Sequence, residues 1–368
     1  GIAGLGPIRE GFRDGFGIWN FYDGEISSLT NSGTITTLGS NANGIFNQGS
    51  IGVITNESGG LINGGFSGIV NEGIIQSITN RGTISGSGMG NGIILGASST
   101  IGSIDNYGTI NVVGATPGDQ TWGVALSGAS NNQIITLNNQ SGGSISADVG
   151  VYVGANAGTI EVLNNNGVIN GLSTGIQVNT GNAINSLTNR GVISGGNVGI
   201  ENRGTINTLN NAQGSTSSVG VLTYAGVLPN NYNIIVSNFS DYGQLYINSP
   251  ALGSSLLFSV DLSSTLGVNS YLNVLTGIDS SFISNFSSIS GGNWVNFGSS
   301  YRWELVGDAG CTMLCTSWDL IVASRPSASS MVSGQTYYTN NLVGGTGAQN
   351  VASVFQGGVL AVSVPTSP

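Results

Sequence analysis

Side chains that could do chemistry are few in this chain. Its 368 residues include 17 Asp and Glu residues, seven basic residues that are all arginine, two cysteines and no histidine. Without histidine, neither a Ser-His-Asp triad nor a Cys-His pair can form, which excludes the chemistry of serine and cysteine proteases. Paired carboxylates, which hydrolyse glycosidic bonds, are the catalytic arrangement that the composition still allows.

The carboxylates that could pair lie in three stretches of the sequence. They are Asp14, Asp23 and Glu25 near the start, Glu57 and Glu72 in adjacent repeats, and Asp148 and Glu161 further on. Glu57 and Glu72 each follow an asparagine, at positions typical of turns. We interpret these two as solvated turn residues, and we predict no catalytic residue and no enzymatic activity.

The two cysteines, Cys311 and Cys315, lie between two strand-like segments, 302–306 and 318–322. A disulfide at the tip of a hairpin is the prediction, because no histidine and no second cysteine pair could complete a metal site. So short a loop stabilises a fold by only about 2 kcal/mol. A redox role needs an activated thiolate and is the less favoured alternative. We predict no metal site and no cofactor, and leave open a weak calcium ion at Asp308.

The balance of charge limits the partners of the chain. Its formal net charge is −10, and seven arginines cannot form a basic patch, so nucleic acid is excluded as a partner. No apolar run reaches the length of a transmembrane helix, and we predict that the chain does not span a membrane. Arg81, Arg190 and Arg203 share one Asn-Arg-Gly position that faces solvent. A binding stripe is one interpretation of these arginines, and solubility is the favoured one.

The elements that carry these residues are repeats of about 25 residues. Each repeat opens with Gly and an apolar residue, continues with the pattern Ile-x-x-Leu/Ile-x-Asn, and ends with Gly-x-Ile. The opening glycines are Gly17, Gly44, Gly68, Gly92, Gly123, Gly150, Gly175 and Gly199. Short β-type segments at this period, with no helical periodicity between them, predict an all-β solenoid of about eight three-strand coils.

One asparagine recurs in each repeat, five residues after the isoleucine of the second segment. The eight positions are Asn31, Asn56, Asn80, Asn106, Asn139, Asn165, Asn189 and Asn211. Asparagine tolerates turn conformations, and its amide can bond to neighbouring groups, so we predict a ladder of stacked amides at a turn. The apolar positions should stack in the same way and form one continuous core.

Two regions depart from the repeat. Residues 114–122 form a turn-rich insertion, and we predict a contact loop that presents Pro117, Asp119 and Trp122. Packing of Trp122 back onto its own coil is the favoured alternative for that residue. From about residue 221, aromatic residues become more frequent and longer alternating strands appear, which predicts a β-rich C-terminal cap.

This organisation divides the chain into four predicted parts. Residues 1–16 form an N-terminal cap, residues 17–220 the solenoid, residues 221–322 the C-terminal cap with the disulfide hairpin, and residues 323–368 a linker with a terminal strand segment. Residues 357–364 are apolar and favour strand structure. They could pair with another chain or an open solenoid edge, or form the last strand of their own domain.

The repeat units ITNRGTISG at 78–86 and LTNRGVISG at 187–195 resemble repeats in the passenger domains of bacterial autotransporters. The segment from Tyr232, with DYGQL at 241–245 and WDLIV at 318–322, is similar to the C-terminal part of such passengers. The resemblance covers residues 17–322. It implies an exported, extracellular right-handed parallel β-helix whose last coils and cap promote folding. The membrane β-barrel translocator of that family is not found in this sequence.

The resemblance and the scarcity of reactive residues lead to one main functional hypothesis. We expect an extracellular or cell-surface, non-enzymatic protein that is structural or adhesive. It would self-associate into a homo-oligomer or filament through its solenoid ends and its C-terminal strand. The alternatives are a β-helix that binds or cleaves glycans, with aromatics and carboxylates along one face, and a toxin-like passenger.

Overall fold

The computed structural model describes residues 15–96, 98–128, 131–154, 158–214, 220–308 and 315–326, together with the backbone of 353–355 and 358–360. The chain divides into two units, residues 1–323 and 324–368. The predicted all-β solenoid is confirmed: 60% of the residues lie in strands, and parallel strands stack into about nine turns.

Each coil of the solenoid contributes strands to three parallel columns. The first column holds β1 (Phe16–Asn20), β4 (Asn43–Asn47), β7 (Ile69–Asn71), β10 (Asn91–Leu95), β13 (Trp122–Leu126), the second halves of β15 (Ser144–Val153) and β17 (Val168–Val178), β20 (Val198–Asn202), β22 (Leu222–Gly226), β26 (Leu245–Pro250) and β28 (Asn269–Thr276). The third column holds β3 (Thr34–Thr36), β6 (Leu61–Asn63), β9 (Thr83–Ser87), β12 (Thr109–Val113), the first halves of β15 and β17, and β19 (Val192–Gly195).

The second column is a ten-stranded parallel sheet of its own. It holds β2 (Glu25–Asn31), β5 (Ser50–Asn56), β8 (Ile74–Asn80), β11 (Thr100–Asn106), β14 (Gln133–Asn139), β16 (Thr159–Asn165), β18 (Ala183–Asn189), β21 (Thr205–Asn211), β23 (Asn231–Ile234) and β27 (Leu257–Val260). Equivalent residues of successive repeats lie in register throughout, as where Ile75 pairs with Ile101. The sequence repeat is therefore the structural repeat.

The core consists of stacked aliphatic side chains because every strand turns its isoleucine or leucine inward. From the second coil onward these side chains are almost fully buried, whereas Ile18, Ile26, Leu29 and Ile35 of the first coil are only partly buried. The opening glycines allow the coils to approach each other closely. A Cβ atom on Gly44 would lie 2.6 Å from the carbonyl oxygen of Gly68, which is too close for any side chain.

The parallel stack continues past residue 220, where the sequence repeat ends. β22 pairs with β20, and β23 pairs with β21, in the same register as the earlier coils. Tyr224, Tyr232 and Phe258 occupy the core positions that isoleucine and leucine hold elsewhere. The solenoid therefore has about nine turns rather than eight, because its last coils keep the strand register but use aromatic core residues.

The remaining elements cover the C-terminal end of this core. They are a 3-10 helix (Ser280–Phe282), α1 (Phe286–Ile289), β29 (Val295–Phe297), β30 (Tyr301–Gly307) and β31 (Ser317–Ser324), with a small hairpin of β24 (Val236–Asn238) and β25 (Asp241–Tyr242) at the side. Trp303 packs edge-on against Phe258 of the last strand in the second column. β31 pairs antiparallel with β28, so parallel stacking ends here.

Two predictions fall on residues outside the described part of the chain. Cys315 packs against the core, but Cys311 lies outside the described residues, and the disulfide stays a prediction. Residues 1–14 of the predicted N-terminal cap also lie outside. In the second unit, β32 (Ser353–Phe355) pairs antiparallel with β33 (Gly358–Leu360). None of the described helices is long and apolar enough to cross a membrane.

Candidate functional site

A buried ladder of asparagine amides runs along one corner of the solenoid. The eight asparagines from Asn31 to Asn211 form seven successive bonds, in which each Nδ2 donates to the Oδ1 of the next residue at 2.8–3.1 Å. The same Nδ2 also donates to backbone carbonyls, for example from Asn80 to Thr109. With all their polar atoms engaged inside the protein, these residues hold the turns together and offer no binding group.

A second, shorter ladder was missed from the sequence. Asn20 donates to Asn47 at 2.7 Å, and Asn47 donates to Asn71 at 2.8 Å, at the end of the first-column strands. The following coils have aliphatic residues in this position, namely Leu95, Leu126, Val153 and Val178, until Asn202 restores the amide. The pattern Gly-Ile-x-Asn at 17–20, 44–47, 68–71 and 199–202 is the signal that could have revealed it.

The outward positions of the first-column strands form a row of mostly apolar side chains. In register they are Trp19, Phe46, Val70, Ile94, Ala125 and Tyr152, followed by the polar Gln177 and Glu201. Phe16, Phe66 and Trp122 lie beside this row. We define the aromatic face as Phe16, Trp19, Phe46, Phe66, Val70, Ile94, Trp122 and Tyr152. It covers six coils and ends where the row becomes polar.

At its N-terminal end the aromatic face holds a cluster of five rings. Phe16 stacks on Phe46 with ring centroids 5.1 Å apart, and Trp19 lies 5.1 Å from Phe16. Phe21 and Tyr22 extend the cluster beyond the face, where Phe21 packs edge-on against Trp19. Trp19 is 41% exposed and Tyr22 is 62% exposed. Large apolar rings are thus presented to solvent on a rigid sheet.

A groove of about 330 Å³ lies on this face, over Phe16, Val70 and Ile94. Its lining includes Phe46, Phe66, the amide side chains Asn41 and Asn43, and the carboxylate of Glu72. Hydrogen bonds across three coils hold Glu72 in place at the groove. The indole Nε1 of Trp19 donates to Gln48 at 3.1 Å, and Nε2 of Gln48 donates to Glu72 at 3.0 Å.

The predicted contact loop is held against the solenoid by a buried carboxylate. Asp148 accepts hydrogen bonds from the backbone amides of Gly118 and Gln120, at 3.0 and 2.9 Å, and from the hydroxyl of Ser173. Pro117 is exposed at the tip. Hydrogen bonds from the hydroxyl and the backbone amide of Thr116 lower the pKa of Asp119.

Trp122 begins strand β13 and does not project from the loop. Its ring lies flat on that of Tyr152, with centroids 4.3 Å apart and planes 5° apart. The hydroxyl of Tyr152 accepts a hydrogen bond from Asn179 at 2.9 Å. Trp122 therefore belongs to the aromatic face and packs back onto the solenoid.

The other described candidate carboxylates lie at separate places, with Asp23 in the turn before β2, Glu25 at the start of β2, and the rest in later coils. Glu57 follows the end of β5 and Glu72 follows the end of β7, so the two lie after strands of different sheets. Glu161 accepts amide hydrogen bonds from Gln133 and Asn185 within an outer polar ladder. Asp14 lies outside the described residues. Among the residues described, no three histidine, cysteine or acidic side chains gather where a metal could bind.

The three arginines of the Asn-Arg-Gly pattern do not share one structural position, which corrects the prediction: Arg81 and Arg190 follow second-column strands, whereas Arg203 follows β20 of the first column. Each of them has a local partner. Arg81 lies over the ring of Tyr107 at 5.4 Å, Arg190 donates to the hydroxyl of Ser263 at 2.7 Å, and Arg203 forms an ion pair with Glu201. They do not form a shared basic surface. The aromatic face is therefore the candidate functional site.

Comparison with known proteins found no similar protein. The chain matches no protein-family model, no curated protein and no solved structure. Membership of the autotransporter family accordingly remains a proposal.

Proposed function

We propose that this chain is the extracellular, non-enzymatic passenger of an autotransporter-like protein and acts as an adhesive β-solenoid. The aromatic face is the surface through which it binds its partner on a cell surface. One observation carries the proposal: apolar side chains, among them the rings of Trp19, Phe46 and Tyr152, lie in register along the outside of the first-column strands, where a solenoid needs no apolar residue. Contiguous exposed apolar patches of this kind mark interaction sites on proteins.

The rest of the solenoid supports a scaffold role. The outer face of the ten-stranded sheet has polar ladders, such as the amide chain from Asn207 to Asn185 and on to Glu161. These side chains bond to each other across coils and leave few groups for a partner. A rigid sheet loses little conformational entropy when it binds, because its side chains are already positioned. Adhesion through the aromatic face is consistent with this difference between an apolar face and a face of internally bonded polar side chains.

Cell binding by purified variants tests the adhesive function. The fluorescently labelled chain should bind to the surface of intact cells, and Trp19→Ser with Phe46→Ser should reduce that binding at least tenfold. Leu252→Ser and Leu262→Ser are matched controls, because these leucines are 97% and 91% exposed but lie outside the aromatic face. The proposal fails if the intact chain binds no cell type, or if the control variants lose as much binding as the aromatic ones.

Self-association is a second candidate, and the first coil favours it. Ile26 and Leu29, which correspond to fully buried residues in later coils, are only partly buried, and β1–β3 pair with strands on one side alone among the described residues. The C-terminal end of the core is covered by Trp303 and its neighbours. Association would therefore join two N-terminal ends, which gives dimers with two-fold symmetry rather than filaments.

Sedimentation of the full chain over a range of concentrations tests this second candidate. A monomer–dimer equilibrium that Leu29→Asp shifts toward monomer is the expected result. Val53→Asp is the control, because Val53 lies on the outer surface of the same sheet and is 39% exposed. A monomer at all concentrations, or a filament, contradicts end-to-end dimerisation.

A further inference from the structure

We infer that the partner of the aromatic face is an uncharged polysaccharide that lies along the solenoid axis. The inference rests on the proposed adhesive function and names its ligand class. Sugar rings have one apolar C–H face and a rim of hydroxyl groups. A site that binds them needs exposed aromatic rings with hydrogen-bonding side chains at their edges, which general rules for small-ligand sites also require.

The groove on the aromatic face has both of these components. Phe16 and Phe46 supply the rings, and Trp19 packs beside them, 5.1 Å from Phe16. Asn41, Asn43 and Glu72 supply amide and carboxylate groups along the same groove. Trp19 combines a large apolar surface with a polar edge, which makes it suitable for contact with a partly polar ligand. A purely lipidic partner would leave these polar groups desolvated and unpaired.

The polar edge is fixed before any ligand binds. The hydrogen bonds from Trp19 to Gln48 and from Gln48 to Glu72 orient all three side chains. A carboxylate has two oxygens with about four acceptor positions, so Glu72 can hold Gln48 and still accept hydroxyl groups. Ordering these side chains in advance lowers the entropy cost of binding a flexible polymer.

The spacing of the face favours a repeating ligand. Successive coils are about 4.8 Å apart, so the row Trp19, Phe46, Val70 and Ile94 presents side chains at equal steps over roughly 14 Å. A polymer that repeats the same unit can make the same contact several times along such a row. Multiple weak contacts of this kind add up to strong attachment, although each is weak alone.

The charge of the groove points to a neutral polymer that is bound and not cleaved. Glu72 is the acidic residue of its lining, and the lining includes no arginine. An anionic polysaccharide would be repelled by Glu72 and by the net charge of −10. Hydrolysis needs a second carboxylate within about 10 Å on the other side of the sugar, and the groove lining supplies one carboxylate only.

Binding of the full chain to insoluble polysaccharides tests the inference. The probes are cellulose, chitin, curdlan and starch as neutral polymers, with pectate as the anionic one. We expect binding to at least one neutral polymer and not to pectate. Trp19→Ala and Glu72→Ala should each weaken binding at least tenfold, and Glu72→Gln should keep part of it. Glu201→Gln, in the same row at its polar end, is the control. Thermal unfolding of each variant shows that it is folded.

The outcomes separate this inference from the adhesive function. If the chain binds cells but no neutral polymer, and protease treatment of the cells removes the binding, the partner is a protein and the polysaccharide inference is wrong. If binding to a neutral polymer persists in both alanine variants, the polymer binds elsewhere and the site is wrong. If the chain binds neither cells nor polymers, the adhesive function fails with it. Release of reducing ends from any polymer would overturn the conclusion that the groove does not cleave.

Discussion

The ring of Trp122 lies flat on the ring of Tyr152, 4.3 Å away, although the two residues belong to adjacent coils. Trp122 pairs in register with Val149 of β15. Asp148, the residue before Val149, occupies the bulge in that strand. The stack therefore joins the contact loop, the bulge and the aromatic face into one local structure.

The stacked pair should contribute measurably to stability. Trp122→Ala and Tyr152→Ala should each destabilise the chain, and a double-mutant cycle in urea should give a coupling of about 0.5–1.5 kcal/mol beyond the loss of buried area. Trp122→Ala combined with Tyr107→Ala is the control cycle and should be additive, because Tyr107 contacts Arg81 at another corner. A coupling near zero in the first cycle would show that the stack carries no energy of its own.

The asparagine ladder should be sensitive to the loss of any central amide. Asn139→Ala removes the donor to Asn165 and the acceptor for Asn106, so buried polar groups lose their partners. The expected cost is about 1–3 kcal/mol in the free energy of unfolding. Asn166→Ala, an exposed residue in the equivalent turn of the next coil, is the matched control and should have little effect. Equal effects of the two variants in chemical denaturation would contradict a structural role for the ladder.

Asp148 should position the contact loop. Asp148→Ala leaves the amides of Gly118 and Gln120 without their acceptor, which we expect to cost about 1–3 kcal/mol. Hydrogen exchange of these two amides should accelerate, while that of the asparagine ladder stays slow. Asp119→Ala is the control, because this residue bonds only within the loop, to Thr116. Unchanged exchange at Gly118 and Gln120 in Asp148→Ala would argue against this anchor.

The stability of the chain should be nearly constant from pH 6 to 9 and should fall above pH 10. No histidine is present to titrate near neutrality. Burial raises the pKa of Tyr224 and of Tyr232 above the ordinary value of 10.0. Unfolded tyrosines lose their protons near pH 10 while these two stay protonated in the folded chain. The stabilisation they provide is therefore complete below pH 10 and is lost as the pH rises further.

Melting temperatures measured in steps of pH check this prediction. Tyr232→Phe should be less stable than the parent chain at pH 8 through loss of its hydrogen bond to Val274, yet should show a smaller decline between pH 10 and 11. A steep change between pH 6 and 8, or an unaltered alkaline decline in Tyr232→Phe, would contradict the assignment.

The parts of this fold that could be predicted from the sequence are those that repeat one residue type at one position. Isoleucine and asparagine recur in each coil because their neighbours above and below are copies of themselves, as at Ile75 and Ile101. The continuation of the solenoid beyond residue 220 was harder to predict. There the core position passes from Ile200 to Tyr224, which keeps the backbone register but ends the sequence pattern.

The residues of the aromatic face were not predicted, because outward positions are not constrained by the core. Trp19, Phe46 and Val70 are stacked neighbours, yet they share no residue type that a search for repeats would find. Their common property is an apolar side chain where solvent is expected. Glu72 was considered as a catalytic carboxylate from the sequence, but its place beside Gln48 and the rings follows only from the stacking of coils.

The asparagine ladders also have a direction. In both ladders each asparagine donates toward its C-terminal neighbour, as from Asn31 to Asn56 and from Asn20 to Asn47. A stack that has formed at the C-terminal end therefore presents carboxamide oxygens at its growing surface, and every arriving coil supplies the matching N–H groups. With its far end closed by Trp303, the stack can act as a seed that elongates toward the N-terminus, one coil after another, each fixed in register by the last.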